Sequence, residues 1–276
     1  MQPTSEEPHA PRRDDGHEPR ATGLALREVT VTYGGLTALS EVSLAVTDRT
    51  VHGVIGPNGA GKTTLFNVAC GFTTPDSGAV SWRGEDLDRL RPHDLAGLGI
   101  ARTLQGVGLF DRISVLENVM VGADTHAAAG FWSSLLGLPR SSREERRLRV
   151  SALEVLDRLG IVEYADRQPG SLPYPVRKRV ALARALAAEP TLLLLDEPAS
   201  GLSHDEMQEL GELVRGLTGQ MAVLLVEHHM DLVMSVCDEI TVLDFGRVIA
   251  HGSPATVREN PAVLAAYLGD AVEQGG

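Results

Sequence analysis

The stretch Gly56-Pro57-Asn58-Gly59-Ala60-Gly61-Lys62-Thr63-Thr64 constrains this chain more than any other. It satisfies G-x-x-x-x-G-K-[ST], the phosphate-binding loop, at every fixed position. The apolar segment Val51–Ile55 enters it as a buried strand, and Leu65–Ala69 leaves it as a helix. Backbone N–H groups must converge on phosphate oxygens, so Gly56, Gly59 and Gly61 let the chain turn sharply and approach closely. The following helix presents its positive end to the same anion. Lys62 supplies a point charge for the β- and γ-phosphates, and Thr63 a hydroxyl for Mg²⁺.

The other half of such a site needs carboxylates. Thr191-Leu192-Leu193-Leu194-Leu195-Asp196-Glu197-Pro198 is an apolar strand ending in two of them. Ligands of open α/β sheets bind at the carboxyl ends of strands. Neighbouring strand residues face opposite ways, so the two acids are expected to divide the work. Asp196 is placed to hold Mg²⁺, and Glu197 to orient and polarise an attacking water. Met221–Val226 is a second apolar strand, running into Glu227-His228-His229. His228 is expected to reach the γ-phosphate and His229 to be the more exposed of the pair.

The 276 residues suit one large α/β domain or two modest ones. A net charge of −12 argues against a nucleic-acid-binding surface. Cys70 and Cys237 lie in apolar surroundings and read as buried thiols of a reducing compartment. Residues 1–22 combine four prolines with mixed charge and no apolar core, which predicts a disordered tail rather than a secretory signal. No apolar run approaches the roughly 18 residues of a membrane helix.

Strands are expected over 24–33 and 36–46, joined at Gly34-Gly35, then over 79–82, 100–105, 240–243 and 247–250. Helices are expected over 180–188, 205–217, 230–236 and 262–268, and residues 92–99 read as a short helix or loop. Ser114–Glu117 and Ser142–Glu145 have the form of capping boxes. After the second, Leu148, Ala152, Val155, Leu156 and Leu159 share one helical face, with Gly160 as the stop. The five arginines from Arg140 to Arg149 form a solvated face or, on the sharper reading, a docking surface. Ala127–Leu138 fits an inserted loop and a short apolar helix equally. The fold class is therefore α/β: a P-loop NTPase core with a mainly parallel sheet, an antiparallel β subdomain, and a helical subdomain inserted at about 91–170. The ordered domain is expected over 23–269, with a short tail over 270–276.

Gly56–Thr64, Gln105, Leu192–Pro198 and His228 occur in the order and spacing of ABC-transporter ATPase subunits, which the chain resembles over about 23–269. The resemblance implies ATP as substrate, with Mg²⁺, and implies roles by position. Tyr33 matches the adenine-stacking aromatic. Gln105 matches the glutamine that links the γ-phosphate and Mg²⁺ to the membrane partner. Glu197 matches the catalytic base, Ala199–Ser203 the loop crossing a dimer interface, and His228 the switch histidine. Tyr33-Gly34-Gly35-Leu36-Thr37-Ala38, Gly99–Thr103, Glu227–Met234, Gly246–Pro254 and Ala266-Tyr267-Leu268-Gly269 are similar to one subgroup, the longer ATPase subunit of bacterial branched-chain amino-acid uptake systems. Relatives of that subgroup also move urea and other amides.

The implied partners are a second ATPase subunit, in a hetero- or homodimer, two membrane permease subunits and, indirectly, an extracytoplasmic solute-binding protein. The implied place is the cytoplasmic face of the membrane. Competing readings are an ATPase of lipid or lipopolysaccharide export and a soluble ABC protein without a membrane partner. One motif departs from the family. Its signature, ideally Leu-Ser-Gly-Gly-Gln, is here Ser171-Leu172-Pro173-Tyr174-Pro175, with Pro175 where the last glycine belongs. Proline has no N–H, which leaves two readings open: this chain completes a partner's ATP site poorly, or the helix N-terminus alone suffices for phosphate, since proline is well tolerated in a first helical turn.

Overall fold

The computed structural model describes residues 23–103, 107–123 and 142–273. Two sheets carry the architecture. The first is antiparallel, in the order β2 (Leu36–Ala45), β1 (Leu24–Tyr33), β4 (Ser77–Trp82), β5 (Glu85–Asp86). Its β1–β2 hairpin closes on Gly34-Gly35, both at positive φ, beside the Tyr33–Leu36 pair. That is the two-residue turn whose twist suits a hairpin.

The second sheet has the order β10 (Arg247–Gly252), β9 (Glu239–Asp244), β3 (Val51–Ile55), β8 (Ala222–Val226), β7 (Leu192–Asp196), β6 (Ile100–Arg102). All its pairings are parallel except β9 with β10. Both faces are covered, which explains why the first four residues of β7 are leucine. Leu193, Leu195, Val223 and Leu225 face one core, with residues of α4 (Tyr174–Leu186), α5 (His204–Leu217) and α6 (Met230–Val236). Leu192, Leu194, Leu224 and Val226 face the other, formed with α1 (Lys62–Ala69), β1, β2 and β4.

The helical region contributes α2 (Val115–Ala123) and α3 (Ser142–Arg158), both packed on α4. Ala152, Leu156 and Leu159 are buried there as expected, while Arg146, Arg147 and Arg149 face solvent. Gly160 follows α3 at φ +66. The capping box at Ser114–Glu117 forms, with Ser114 N donating to Glu117 Oε2 at 2.7 Å and Glu117 N to Ser114 Oγ at 3.2 Å. The side chains of the expected box at 142–145, Gln105 and the stretch 127–138 lie outside the described residues. So do residues 1–22 and the last part of the 270–276 tail. A box the sequence reading missed, Ser203 with Glu206, starts α5.

Several boundaries move. The strand expected over 100–105 is described only to Arg102, and the helix expected from Val180 begins at Tyr174. The early start has a physical cause. Pro173 is the N-cap and Pro175 sits in the first turn, where the missing N–H has no intrahelical partner to lose. The chain closes with α7 (Pro254–Arg258) and α8 (Pro261–Glu273). Among the described residues no helix is long and apolar enough to cross a membrane.

Candidate active site

Strands β3, β8 and β7 are neighbours and parallel, so their carboxyl ends open on one edge of the sheet. The phosphate loop leaves β3, Glu227 and His228 leave β8, and Asp196 and Glu197 leave β7.

The glycines of the loop answer to the protein as much as to phosphate. A Cβ on Gly56 would stand 2.1 Å from the Leu243 carbonyl oxygen of β9. One on Gly61, at φ +101, would stand 2.7 Å from the Ala38 carbonyl oxygen of β2. The loop is thus wedged between the two sheets and fastened by Gly246 N, which donates to the Ala60 carbonyl at 3.0 Å. Lys62 Nζ donates to the carbonyls of Gly56 and Pro57 at 2.7 and 2.8 Å, holding the ammonium against the loop. Asn58 and Gly59 are exposed, Pro57 and Ala60 buried. Thr63 is exposed in the first turn of α1, with Thr64 half-buried beside it. Tyr33 is 51% exposed, and its hydroxyl shares a 3.2 Å hydrogen bond with Thr73 Oγ1.

Asp196 is the last residue of β7, but Glu197 has left the strand at φ +44. The alternation expected of two neighbouring strand residues therefore does not extend to Glu197, whose backbone is left-handed. Burial, reinforced by the charges of Glu197 and Glu227, pushes the Asp196 carboxyl up to about 6. His228 Nδ1 lies 3.9 Å from Glu197 Oε1, so the predicted base and the predicted histidine do meet. Their relative exposure reverses the expectation. His228 is exposed and His229 half-buried, because His229 is the N-cap of α6 and its ring packs against that of His228.

Two residues here were not singled out from the sequence. Lys178, on α4, donates to the Pro198 carbonyl at 2.6 Å and lies 3.4 Å from the Glu197 carbonyl oxygen. Burial lowers the pKa of its ammonium, against the pull of Glu227 and Glu197. Glu227 is wholly buried, and its carboxylate accepts from Ala199 N at 2.7 Å, His228 N at 2.9 Å and His229 N at 3.2 Å. An acid closing an apolar strand was the available signal. Its donor 28 residues away, Ala199 N, was not readable.

The donor set fits a hard divalent cation. Burial, with the nearby charges of Glu197 and Glu227, raises the pKa of the Asp196 carboxyl, and oxygen ligands of this kind suit Mg²⁺.

Residues 39–200 match the ABC transporter family, and residues 247–273 match the family of branched-chain amino acid ATP-binding cassette transporters. The chain belongs to the ABC transporter family. It is an ATPase with a nucleotide-binding fold. It is 40% identical over 250 residues to the high-affinity branched-chain amino acid transport ATP-binding protein LivG of Salmonella typhimurium, covering 90% of this chain and 98% of that protein. It is 39% identical to BraF of Pseudomonas aeruginosa, a protein described in the same words, with the same coverage. Among solved structures, an ATP-binding cassette of an ABC transporter in its ADP conformation superposes with a TM-score of 0.77 at 29% identity, covering 90% of this chain and 98% of the other. A dimeric cassette in a post-hydrolysis state, bound to ADP and Pi, gives 0.68 at 25% identity, covering 84% and 98%.

Proposed function

We propose that this chain drives a bacterial importer of branched-chain amino acids or related small amides, hydrolysing ATP while paired with a second ATPase subunit beneath two membrane permease subunits. The solute would be handed over by an extracytoplasmic binding protein, and this chain would sit peripherally on the cytoplasmic face of the membrane. The observation that carries the reading is the meeting of Glu197 and His228 at adjacent strand ends on the edge that also bears the phosphate loop. The relatives named above supply the solute class.

In this reading Tyr33 stacks on adenine. The N–H groups of Gly56–Thr64 and the Lys62 ammonium take the phosphates. Thr63 and Asp196 hold Mg²⁺, which neutralises phosphate charge when bound. Glu197 accepts a proton from the attacking water, and His228 donates to the γ-phosphate. Gln105 completes the metal and γ-phosphate contacts and reports them to the membrane subunits. The turn Ala199–Ser203 crosses to the second subunit.

Glu197→Gln tests the assignment. The amide keeps the shape but cannot take the proton. Turnover of the transport complex should fall by about 100-fold or more while ATP still binds. Full turnover would overturn it. For the solute class, proteoliposomes carrying the complex should take up leucine in an ATP-dependent manner, and uptake indifferent to ATP would refute import.

A further inference from the structure

Glu227 is a carboxylate with no solvent contact, beside two other acids. An apolar residue there would relieve that repulsion, so the charge calls for an explanation. It accepts from both sides of a gap. Oε1 takes the N–H of Ala199, in the turn after β7. Oε2 takes those of His228 and His229, in the turn after β8. Three backbone N–H groups thus converge on the one buried carboxylate. Each of the two turns carries one member of the Glu197–His228 pair. The β7 turn also binds to β8 directly, through Glu197 N and the Val226 carbonyl at 2.9 Å. His228 Nδ1 is 3.7 Å from Glu227 Oε2 and 3.9 Å from Glu197 Oε1, so the imidazole sits between the two acids.

We infer that Glu227 is a positioning residue, a latch that joins the turn at Ala199 to the turn at His228 so that Glu197 and His228 keep their separation and move together. The inference rests on the roles proposed for Glu197 and His228. Its consequence is directional. The Ala199–Ser203 turn runs straight into α5, and Ala199 is itself buried. A displacement of that turn pulls on Oε1, and through Oε2 it reaches the backbone of the histidine. Docking of a second subunit on the turn would therefore set the histidine's place without touching it.

The test is Glu227→Gln in the full-length chain within its transport complex. The amide has one acceptor oxygen where the carboxylate has two, so its NH₂ must face a backbone N–H and one turn is released. The expected kcat loss is roughly 10- to 100-fold, with the KM for ATP and ATP binding held within about twofold. Amide hydrogen exchange should quicken at Ala199, His228 and His229 together, with the core strands protected as before. A kcat equal to the parent's, an equal loss of ATP binding, or faster exchange in only one of the two turns would each overturn the latch.

If the variant does not fold, the parent still decides. The Ala199 and His228 amides should open with the same free energy, and clearly separate openings would refute the coupling. The outcome is distinct from failure of the functional reading. That reading fails if the parent is inactive or Glu197→Gln retains turnover. The latch fails if both behave as expected and Glu227→Gln turns over like the parent.

Discussion

Helices α1 and α4 both begin without a side-chain cap, and they begin in opposite ways. The first starts from a glycine at φ +101, with the N–H groups of Lys62, Thr63 and Thr64 in its first turn. The second starts from Pro173, with Pro175 in its first turn and one backbone donor deleted. A helix N-terminus attracts phosphate through those donors and the helix dipole. One end is thus built for an anion, and the other has given up part of that capacity for a rigid start. Rigidity has a local use at α4. The Tyr174 ring packs where a Cβ on Gly201 would come within 3.1 Å, and Lys178 binds the Pro198 carbonyl. The helix holds the turn after β7 by side chains, whereas the phosphate loop is held by backbone fit.

The largest effect expected from this difference is at Gly56. An alanine methyl would be driven into the Leu243 carbonyl, so Gly56→Ala should destabilise the fold by about 3 kcal/mol or more and abolish ATP binding. Gly59→Ala is the control, because nothing lies within 4 Å of its Cβ. It should cost only about 1–2 kcal/mol, for the left-handed backbone. Urea unfolding and calorimetric titration with ATP measure both. Equal losses would mean that the loop is not wedged between the sheets.

Acid should separate the two sides next. His52, on the strand that feeds α1, is fully buried, with Nε2 2.8 Å from Thr241 Oγ1 and its ring stacked on His251. Glu239 Oε2 is 3.7 Å from its Nδ1. Burial, with help from His251, depresses its pKa to about 3. The unfolded chain takes up that proton below about 6.5 and the folded chain does not, so stability falls with pH across this window. At pH 4 the loss is about 3 kcal/mol as an upper figure. Asp196 acts with the opposite sign. Its raised pKa means that the folded state binds the proton more readily, so stability rises as pH falls through about 6. With screening allowed for, that gain is on the order of 1 kcal/mol. Urea unfolding at pH 7 and pH 4.5 should show a net loss in the parent and a small net gain in His52→Gln. A variant as acid-labile as the parent would remove His52 from the account.

Lys178→Met sits below these. It keeps most of the stem but frees the carbonyls of Glu197 and Pro198. A charge-assisted bond at a half-exposed site contributes about 1 kcal/mol, so turnover should fall several-fold with ATP affinity unchanged. Unchanged turnover in the transport complex would show that α4 does not hold the base.

What the sequence disclosed follows the same division. The phosphate loop was readable in full because backbone geometry dictates letters: glycine where a Cβ cannot go or the backbone is left-handed, lysine and threonine where chemistry needs them. The leucines of β7 were readable because a strand covered on both faces has no polar position. The conformation of Glu197 was not, since positive φ at a non-glycine residue is imposed by its surroundings. Nor was Glu227, whose partner Ala199 is fixed only when β7 and β8 lie side by side. Proline at the start of α4 was read as a lost donor. That it also moves the helix start to Tyr174 emerged from the fold.

Pro175→Gly gives the smallest and most selective effect. It restores one N–H to the first turn of α4 while leaving this chain's own phosphate loop untouched. If α4 completes the ATP site of the second subunit, the gain must appear there. In the proposed pairing with a second, different ATPase subunit, each complex would hold two sites, and the one on this chain would be completed by the partner. Total turnover can therefore rise by no more than about twofold if the sites act independently. The added glycine should cost about 0.5–1 kcal/mol of stability, because it loosens the unfolded chain and the helix start. The assay is ATPase of the complex with Glu197→Gln already in place, so that only the partner's site contributes. A rise on adding Pro175→Gly would locate the weakness at α4. No rise would mean that the remaining N–H groups of Tyr174 and Val176, with the helix dipole, already suffice for the phosphate. The contrast between the two helix starts would then concern rigidity alone.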